Sequence, residues 1–388
     1  MTPQPEPSEY SEWRKTSQAL APAETAPQTG TGGSSAHARY AIYPVFPLSG
    51  TTIARGHSTL ARQLIALAQS GDGPPAVVID GFGGVFWAEL RRRLDVELRA
   101  LGVAPTWLDV SSAWQPPAAL EALVEPFLGD DDPLFGTRFT GVLGDFFRPD
   151  ALDALVPDAT CDLTILYGCG AALAGWAAPL VYVDVPKNEL QFRARAGSIA
   201  NLGMTHARPP KTMYKRFYFV DWPALNQHKC ALLPRIDLII DGQRPDDIVW
   251  LPGADLRAGL TAMSHSFFRV RPWFEPGPWG GQWIKEQVPE LPRDVPNYAW
   301  SFELIVPENG LMFSSNGLQL EVSFDFLMYH DYQAVLGDCA DQFGYEFPIR
   351  FDFLDTFDGG NLSLQCHPST DFMRRHFGET FTQDETYY

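Results

Sequence analysis

The sequence predicts two fold classes in succession: an α/β domain built on a parallel sheet, then an all-β domain. Three observations carry this expectation. Short apolar, β-branched runs alternate with helix-period segments as far as about Leu251-Pro252-Gly253. Beyond that point prolines and aromatics become dense, as in Trp273, Phe274, Pro276, Pro278, Trp279 and Trp283. Short alternating runs separated by turn residues then replace the helical pattern, as expected of a sandwich or barrel.

Residues 1–38 are rich in Pro, Ser, Thr, Gly and Ala and lack an apolar signal core, so they are expected to form a disordered tail. The first domain is expected over residues 39–252. It opens with Tyr40–Phe46, followed by a helix over Ser58–Ala68 with Leu60, Leu64 and Leu67 on one face. A buried strand follows at Ala76–Asp80, then the turn Gly81-Phe82-Gly83-Gly84 and an amphipathic helix from about Phe86 to Leu101 with Arg91, Arg92 and Arg93 facing water. Further strands are expected at Leu163–Tyr167, Leu180–Val185 and Ile236–Ile240. The second domain, residues 253–388, is expected to be made of strands such as Trp300–Val306 and Leu318–Phe324, with turns at Glu308-Asn309-Gly310 and Asp358-Gly359-Gly360.

Length and composition agree with two domains: 388 residues, 45% hydrophobic and 20% charged. The 47 acidic and 29 basic residues leave a net charge of −18, which repels phosphate backbones and anionic bilayers. Neither nucleic acid nor a membrane is therefore an expected partner; a single local pocket for a small phosphate is compatible with that charge. Five scattered cysteines without a CxxC pair indicate neither a thiolate zinc site nor a disulfide framework, and a cytoplasmic location is expected. No apolar run reaches the length needed to span a bilayer.

The Gly81 turn lies where a phosphate-binding loop would lie, between a strand and a helix. Counted from Gly81, that loop needs Gly, Lys and Ser or Thr where this chain has Phe86, Trp87 and Ala88. An indole in the lysine position removes both the charge and the space. The stretch Gly50–Ser58 also fails, with one residue too many and His57 in place of Lys. Further on, Tyr167-Gly168-Cys169-Gly170-Ala171-Ala172-Leu173, Val183-Asp184-Val185-Pro186-Lys187 and the run from Tyr214 to Pro223 resemble nucleoside-kinase-like α/β domains of the uridine kinase type, over roughly residues 75–245. The missing lysine makes a degenerate, non-phosphorylating domain the expectation; a nucleotide-dependent kinase is an alternative. Lys187, Arg193, Arg195, Lys211, Lys215 and Arg216 are candidates for an anion pocket, against the plainer reading of a solvated basic face.

Leu362-Ser363-Leu364-Gln365-Cys366-His367-Pro368 carries the strongest chemical signal. In a strand, Ser363, Gln365 and His367 would project from one face and Leu362, Leu364 and Cys366 from the other. A carboxylate, Glu385, returns in Asp384-Glu385-Thr386-Tyr387-Tyr388. Together with Phe347–Asp355 and the upstream Trp279-Gly280-Gly281, this stretch resembles the class I mannose-6-phosphate isomerases, zinc enzymes of the cupin (jelly-roll) fold, over roughly residues 275–388. The resemblance implies Gln365, His367 and Glu385 as Zn²⁺ ligands; imidazole, amide oxygen and carboxylate suit that ion. His330 and His376 are expected to be surface residues.

Two departures from the family qualify that reading. Gln383 stands where the family typically has Lys, so a cation beside an anionic substrate is lost. The family's remaining ligand His and an Arg lie further downstream, so the chain is expected to be a fragment whose jelly roll continues. The implied activity is a zinc-dependent aldose–ketose isomerase interconverting mannose 6-phosphate and fructose 6-phosphate, with Ser363 and Gln383 as candidate substrate contacts and no general base named. A non-catalytic metal- or sugar-binding cupin module is the alternative.

Overall fold

A computed structural model describes residues 13–25, 40–50, 53–70, 73–130, 132–302 and 305–388. It is a mixed α/β protein whose chain divides into two compact units, each assembled from separated segments. One comprises residues up to Lys15, Ala61–Asp237 and His367–Tyr388; the other comprises Thr16–Leu60 and Leu238–Cys366. The division does not fall at Pro252.

In the first unit, four parallel strands pair side by side: Pro105–Asp109 with Leu163–Tyr167, that strand with Ala76–Gly81, and the last with Leu180–Asp184. The latter three are buried at every residue. This is why they read as unbroken apolar runs, since a parallel strand covered on both faces has no solvent side to alternate with. The helix Trp87–Ala100 buries Leu90, Leu94 and Leu98 at the spacing of one face. On its outer side Glu89 bonds Arg92 and Arg93 at 2.6 and 2.5 Å. The helix Lys187–Ala196 stops at Gly197, whose φ of 71° is the left-handed turn that glycine adopts without strain.

The second unit departs from the all-β expectation. Residues 253–388 include the helices Gly253–Ser264 and Asp325–Leu336, and the strands described do not compose a jelly roll. Leu256, Leu260 and Met263 are buried at spacings of four and three, a helical face that the proline-rich sequence around it masks. Two three-stranded sheets are present among the described residues. In one, Gly310–Ser315 pairs antiparallel with Leu318–Ser323 and parallel with Val45–Pro47. The Asn316-Gly317 turn between the first two has φ of 50° and 79°, both left-handed, as a tight hairpin requires. In the other, Trp300–Phe302 lies between Trp273–Glu275 and Phe353–Leu354, beside a core of Phe274, Ile284, Val288, Leu291 and Tyr298.

The expected tail is partly built into the fold; residues 1–12 and 26–39 lie outside the described residues. Gln18 donates to the Pro272 carbonyl at 2.8 Å, and the Gln319 and Thr25 amides bond Ala23 and Gly317 carbonyls, both at 2.9 Å. A buried charge network underlies this segment. Glu321 accepts from Arg271 at 3.0 Å and from Gln243 at 3.1 Å, while Arg271 and Arg244 reach the carbonyls of Ala19 and Ala21. Gly310 admits this network: a Cβ there would lie 2.1 Å from the Glu321 carboxylate. No helix among the described residues is long and apolar enough to cross a membrane.

Burial pushes the Glu321 carboxyl above its ordinary value of 4.5, outweighing the attraction of Arg271. A carboxyl raised in the folded state binds its proton more tightly there than in the unfolded chain. Its contribution to stability is therefore complete below pH 4.5 and is lost as pH rises through the folded value. Urea denaturation at a series of pH values should show this component in the native protein and its absence in Glu321→Gln.

Candidate functional site

The C-terminal ends of the parallel strands converge on two buried carboxylates. Asp80 accepts four hydrogen bonds, two on each oxygen: Gly81 N at 2.6 Å and Gly170 N at 2.9 Å on Oδ1, Ala172 N and His228 Nε2, each at 2.8 Å, on Oδ2. The Gly170 and Ala172 amides reach it because the chain leaves the Leu163–Tyr167 strand through Gly168 and Gly170, with φ of 123° and 88°. A Cβ at either would come within 2.7 Å of Val110 or Phe147, so these positions are closed to larger residues. On the neighbouring strand Asp184 pairs with Lys229 at 3.0 Å, both side chains fully buried. Successive residues of one helix, His228 and Lys229, thus take the carboxylates at the ends of two adjacent strands.

The glycine-rich turn between them is packed by protein side chains. Trp87, in the position a phosphate loop gives to lysine, lies against Gly81, whose Cβ would meet the indole at 2.9 Å and the Val183 carbonyl at 2.6 Å. Beside the turn is a cavity of about 190 Å³ bounded by Phe82, Trp87, Cys169, Asn201 and Asp221. Asp221 accepts from Asn201 at 2.7 Å, Leu202 N at 3.2 Å and Arg216 at 3.1 Å, yet burial pushes its carboxyl above the usual range. Burial also pushes the Cys169 thiol well up, which makes it a poor nucleophile.

The six cations that were candidates for an anion pocket do not share one. Arg193 is buried, donating to the Gly84 carbonyl at 2.6 Å and to Glu189 at 3.3 Å between the rings of Trp13 and Phe86. Arg216 holds Asp221 and the Leu202 carbonyl, and Lys187 lies over Trp222. Arg195, Lys211 and Lys215 instead line one cavity together.

The terminal segment is not strand. Residues 361–369 and 378–388 have no regular secondary structure, and Leu364, expected to pack inward, is fully exposed. The alternation of Leu362, Ser363 and Leu364 had no neighbouring strand to pair with and no apolar face to cover. His367 and Glu385 meet by another route. Ser369 caps the helix Thr370–Phe377, accepting from Phe372 N at 3.4 Å, and Gly378 reverses the chain with φ of 71°. Thr382 then donates to the Pro368 carbonyl at 2.5 Å, and His367 Nε2 lies 2.5 Å from Glu385 Oε2. The Tyr387 hydroxyl, then His367, hold the Glu385 carboxyl below its ordinary value, so it stays ionised. Ser363, Gln365 and Gln383 are exposed, and neither Gln365 nor Gln383 is brought onto this pair by a strand face. Among the described residues no cluster of three or more His, Cys, Asp or Glu is placed to hold a metal ion.

Residues 56–265 match the family described as Domain of unknown function (DUF8485). The chain belongs to this family. The DUF8485 match takes in both buried carboxylates and the turn between them, and stops short of His367. No curated protein matches the chain. Among solved structures, the protein from Silicibacter sp. TM1040 assigned as a fructose transport system kinase is similar at 13% identity and a TM-score of 0.30, over 44% of this chain and 94% of that one.

In the DUF8485 region, Asp80→Ala leaves the Gly170 and Ala172 amides without their acceptor and is expected to cost at least about 3 kcal/mol. Lys229→Met leaves Asp184 buried without its cation and should cost about 3–5 kcal/mol, and Asp184→Leu/Lys229→Met less than that. Urea midpoints of the three variants check both statements.

Proposed function

We propose that the chain bears a metal-ligating segment of a zinc-dependent aldose–ketose isomerase of sugar phosphates. The observation that carries this reading is the 2.5 Å contact between His367 Nε2 and Glu385 Oε2, two side chains 18 residues apart that the resemblance to class I mannose-6-phosphate isomerases pairs as ligands. The resemblance implies Gln365, two residues before His367, as the third donor of that set.

The donors suit the ion. In a tetrahedral site with bonds of about 2.0–2.1 Å, neighbouring donor atoms lie roughly 3.3 Å apart. His367 and Glu385 would therefore separate by about 0.8 Å, within reach of side-chain torsions because both are partly exposed. Ligation through Nε2 requires an imidazole whose Nε2 bears no proton, with its proton on Nδ1. Bound zinc supplies a Lewis acid for a substrate carbonyl oxygen.

The remaining roles fall to the chain's own groups. Ser363, exposed four residues before His367, is the group assigned to hydrogen-bond a sugar oxygen. Gln383 offers a neutral amide where a lysine would pair with phosphate, so the substrate phosphate is held by hydrogen bonds without a counter-charge at this position. Isomerisation moves a proton between adjacent carbons through an enediol, which demands a general base in addition to these groups. The neutral Gln383 favours a second reading, a metal- or sugar-binding module without turnover.

Titration calorimetry with ZnCl₂ and an assay converting mannose 6-phosphate to fructose 6-phosphate test the proposal. One zinc equivalent should bind, and His367→Ala and Glu385→Ala should each weaken it by at least the roughly 10–100-fold that loss of a ligand's hydrogen-bonding partner costs. Zinc affinity unchanged in both variants would sink the metal site. Zinc binding that depends on both residues, without isomerisation, selects the binding module.

A further inference from the structure

The first unit holds a second cavity, of about 480 Å³, away from the turn at Gly81. Its size is that of a small-molecule site. It is lined by the helix Lys187–Ala196, the helix Pro210–Arg216, the turn Phe217–Asp221 and the terminal helix Thr370–Phe377, together with Leu134, Phe135 and Glu379. The terminal helix is fixed in place by the Arg138 amide, which donates to the Phe377 carbonyl at 2.9 Å, and by the Phe135 and Phe377 rings, 5.1 Å apart.

Two features of the lining are chemically specific. The first is charge. Arg195, Lys211 and Lys215 line the cavity against one carboxylate, Glu379, in a protein whose net charge is −18. The Lys215 ammonium is buried and oriented by the Asp132 carbonyl, so its position is set by the fold. A local positive excess inside an acidic surface concentrates small anions at that point.

The second feature is an aromatic wall. Phe217–Asp221 is a π-helical turn, a wide turn that recurs at functional sites because its extra residue redirects side chains. Here Tyr214 and Tyr218 lie 6.3 Å apart at 31°, with Phe219 5.0 Å from Tyr218. Tyr218, which lines the cavity, is 39% exposed. The hydroxyl-bearing rings offer a planar apolar body both stacking area and a polar edge.

We infer that this cavity is a binding site for a small organic anion with a planar apolar body, its charged group held by Arg195 and Lys211 and its body by Tyr214, Tyr218 and Phe219. Neither His367 nor Glu385 lines this cavity, so its test does not rest on the metal-ligating proposal.

Fluorescence titration of the full chain with 1-anilinonaphthalene-8-sulfonate provides the test, with N-phenyl-1-naphthylamine as the same body without charge and inorganic phosphate as the charge without the body. The sulfonate should bind at one saturable site. Lys211→Glu and Arg195→Gln should each weaken it by about tenfold while changing the neutral probe by less than about twofold. Tyr218→Ala should weaken both probes, and inorganic phosphate should displace the sulfonate only at far higher concentration than phenyl phosphate does. Lys211 and Tyr218 are exposed, so circular dichroism of those variants should match the native protein, and they decide the matter if Arg195→Gln fails to fold. Sulfonate binding indifferent to Lys211→Glu, or weakened no more than the neutral probe, overturns the assignment, as does binding indifferent to Tyr218→Ala.

Discussion

A carboxylate removed from water must be matched donor by donor, and the arrangement of the first unit follows from how Asp80 is matched. It terminates one strand, takes amides from the loop after a second, and takes an imidazole from a helix almost 150 residues later. Each of those segments has its path set by the need to deliver a donor: Gly168 and Gly170 adopt left-handed φ values so that the amides turn inward. The same helix delivers Lys229 to Asp184 one strand over. Removing water from two carboxylates costs several kcal/mol apiece, recovered only when every donor is in place. The strand order and the loop conformations are therefore parts of one constraint.

That constraint bears on what the glycine-rich turn can do. A phosphate loop presents unsatisfied amides and a lysine to an anion. At this turn the Gly81 amide is already bonded to Asp80, the Gly84 carbonyl to Arg193, and Trp87 packs on Gly81. The turn keeps the connection of a strand to a helix, with the Gly81 and Phe82 amides and the Gly84 carbonyl bonded within the protein.

How legible this was depended on the range of the interaction. The buried strands at 76–81, 163–167 and 180–184 were readable because burial on both faces leaves a local apolar run. Pro105–Asp109 was missed: a five-residue strand with a charged end gives little local signal. The helices at 253–264 and 325–336 flank a Pro- and aromatic-dense stretch and were not read out of the sequence on either side of it. Helical spacing puts Arg193 and Arg195 about 200° apart, on opposite faces, but it does not say which face is packed and which lines a cavity. Asp80 was visible only as the polar end of a strand, since three of its four donors lie 90 to 148 residues away. In the terminal segment the residue types were legible and the backbone was not. A period of two signals a strand only where another strand accepts its hydrogen bonds.

The terminal helix Thr370–Phe377 links the two candidate sites mechanically. Its eight residues span about 12 Å, with Met373 and Phe377 against the cavity and the chain on either side of it carrying His367 and Glu385. Any bond between those two residues closes the loop that contains the helix, and the entropy it removes from that loop grows only as the logarithm of loop length. A hydrogen bond between exposed side chains closes it weakly, because water competes for both partners. Coordination to a common ion would close it more strongly, since the donors lose their alternatives in solvent. The wall of the cavity would then be held from both ends of the helix, through Phe377 against Phe135 at one side and through the joined flanks at the other.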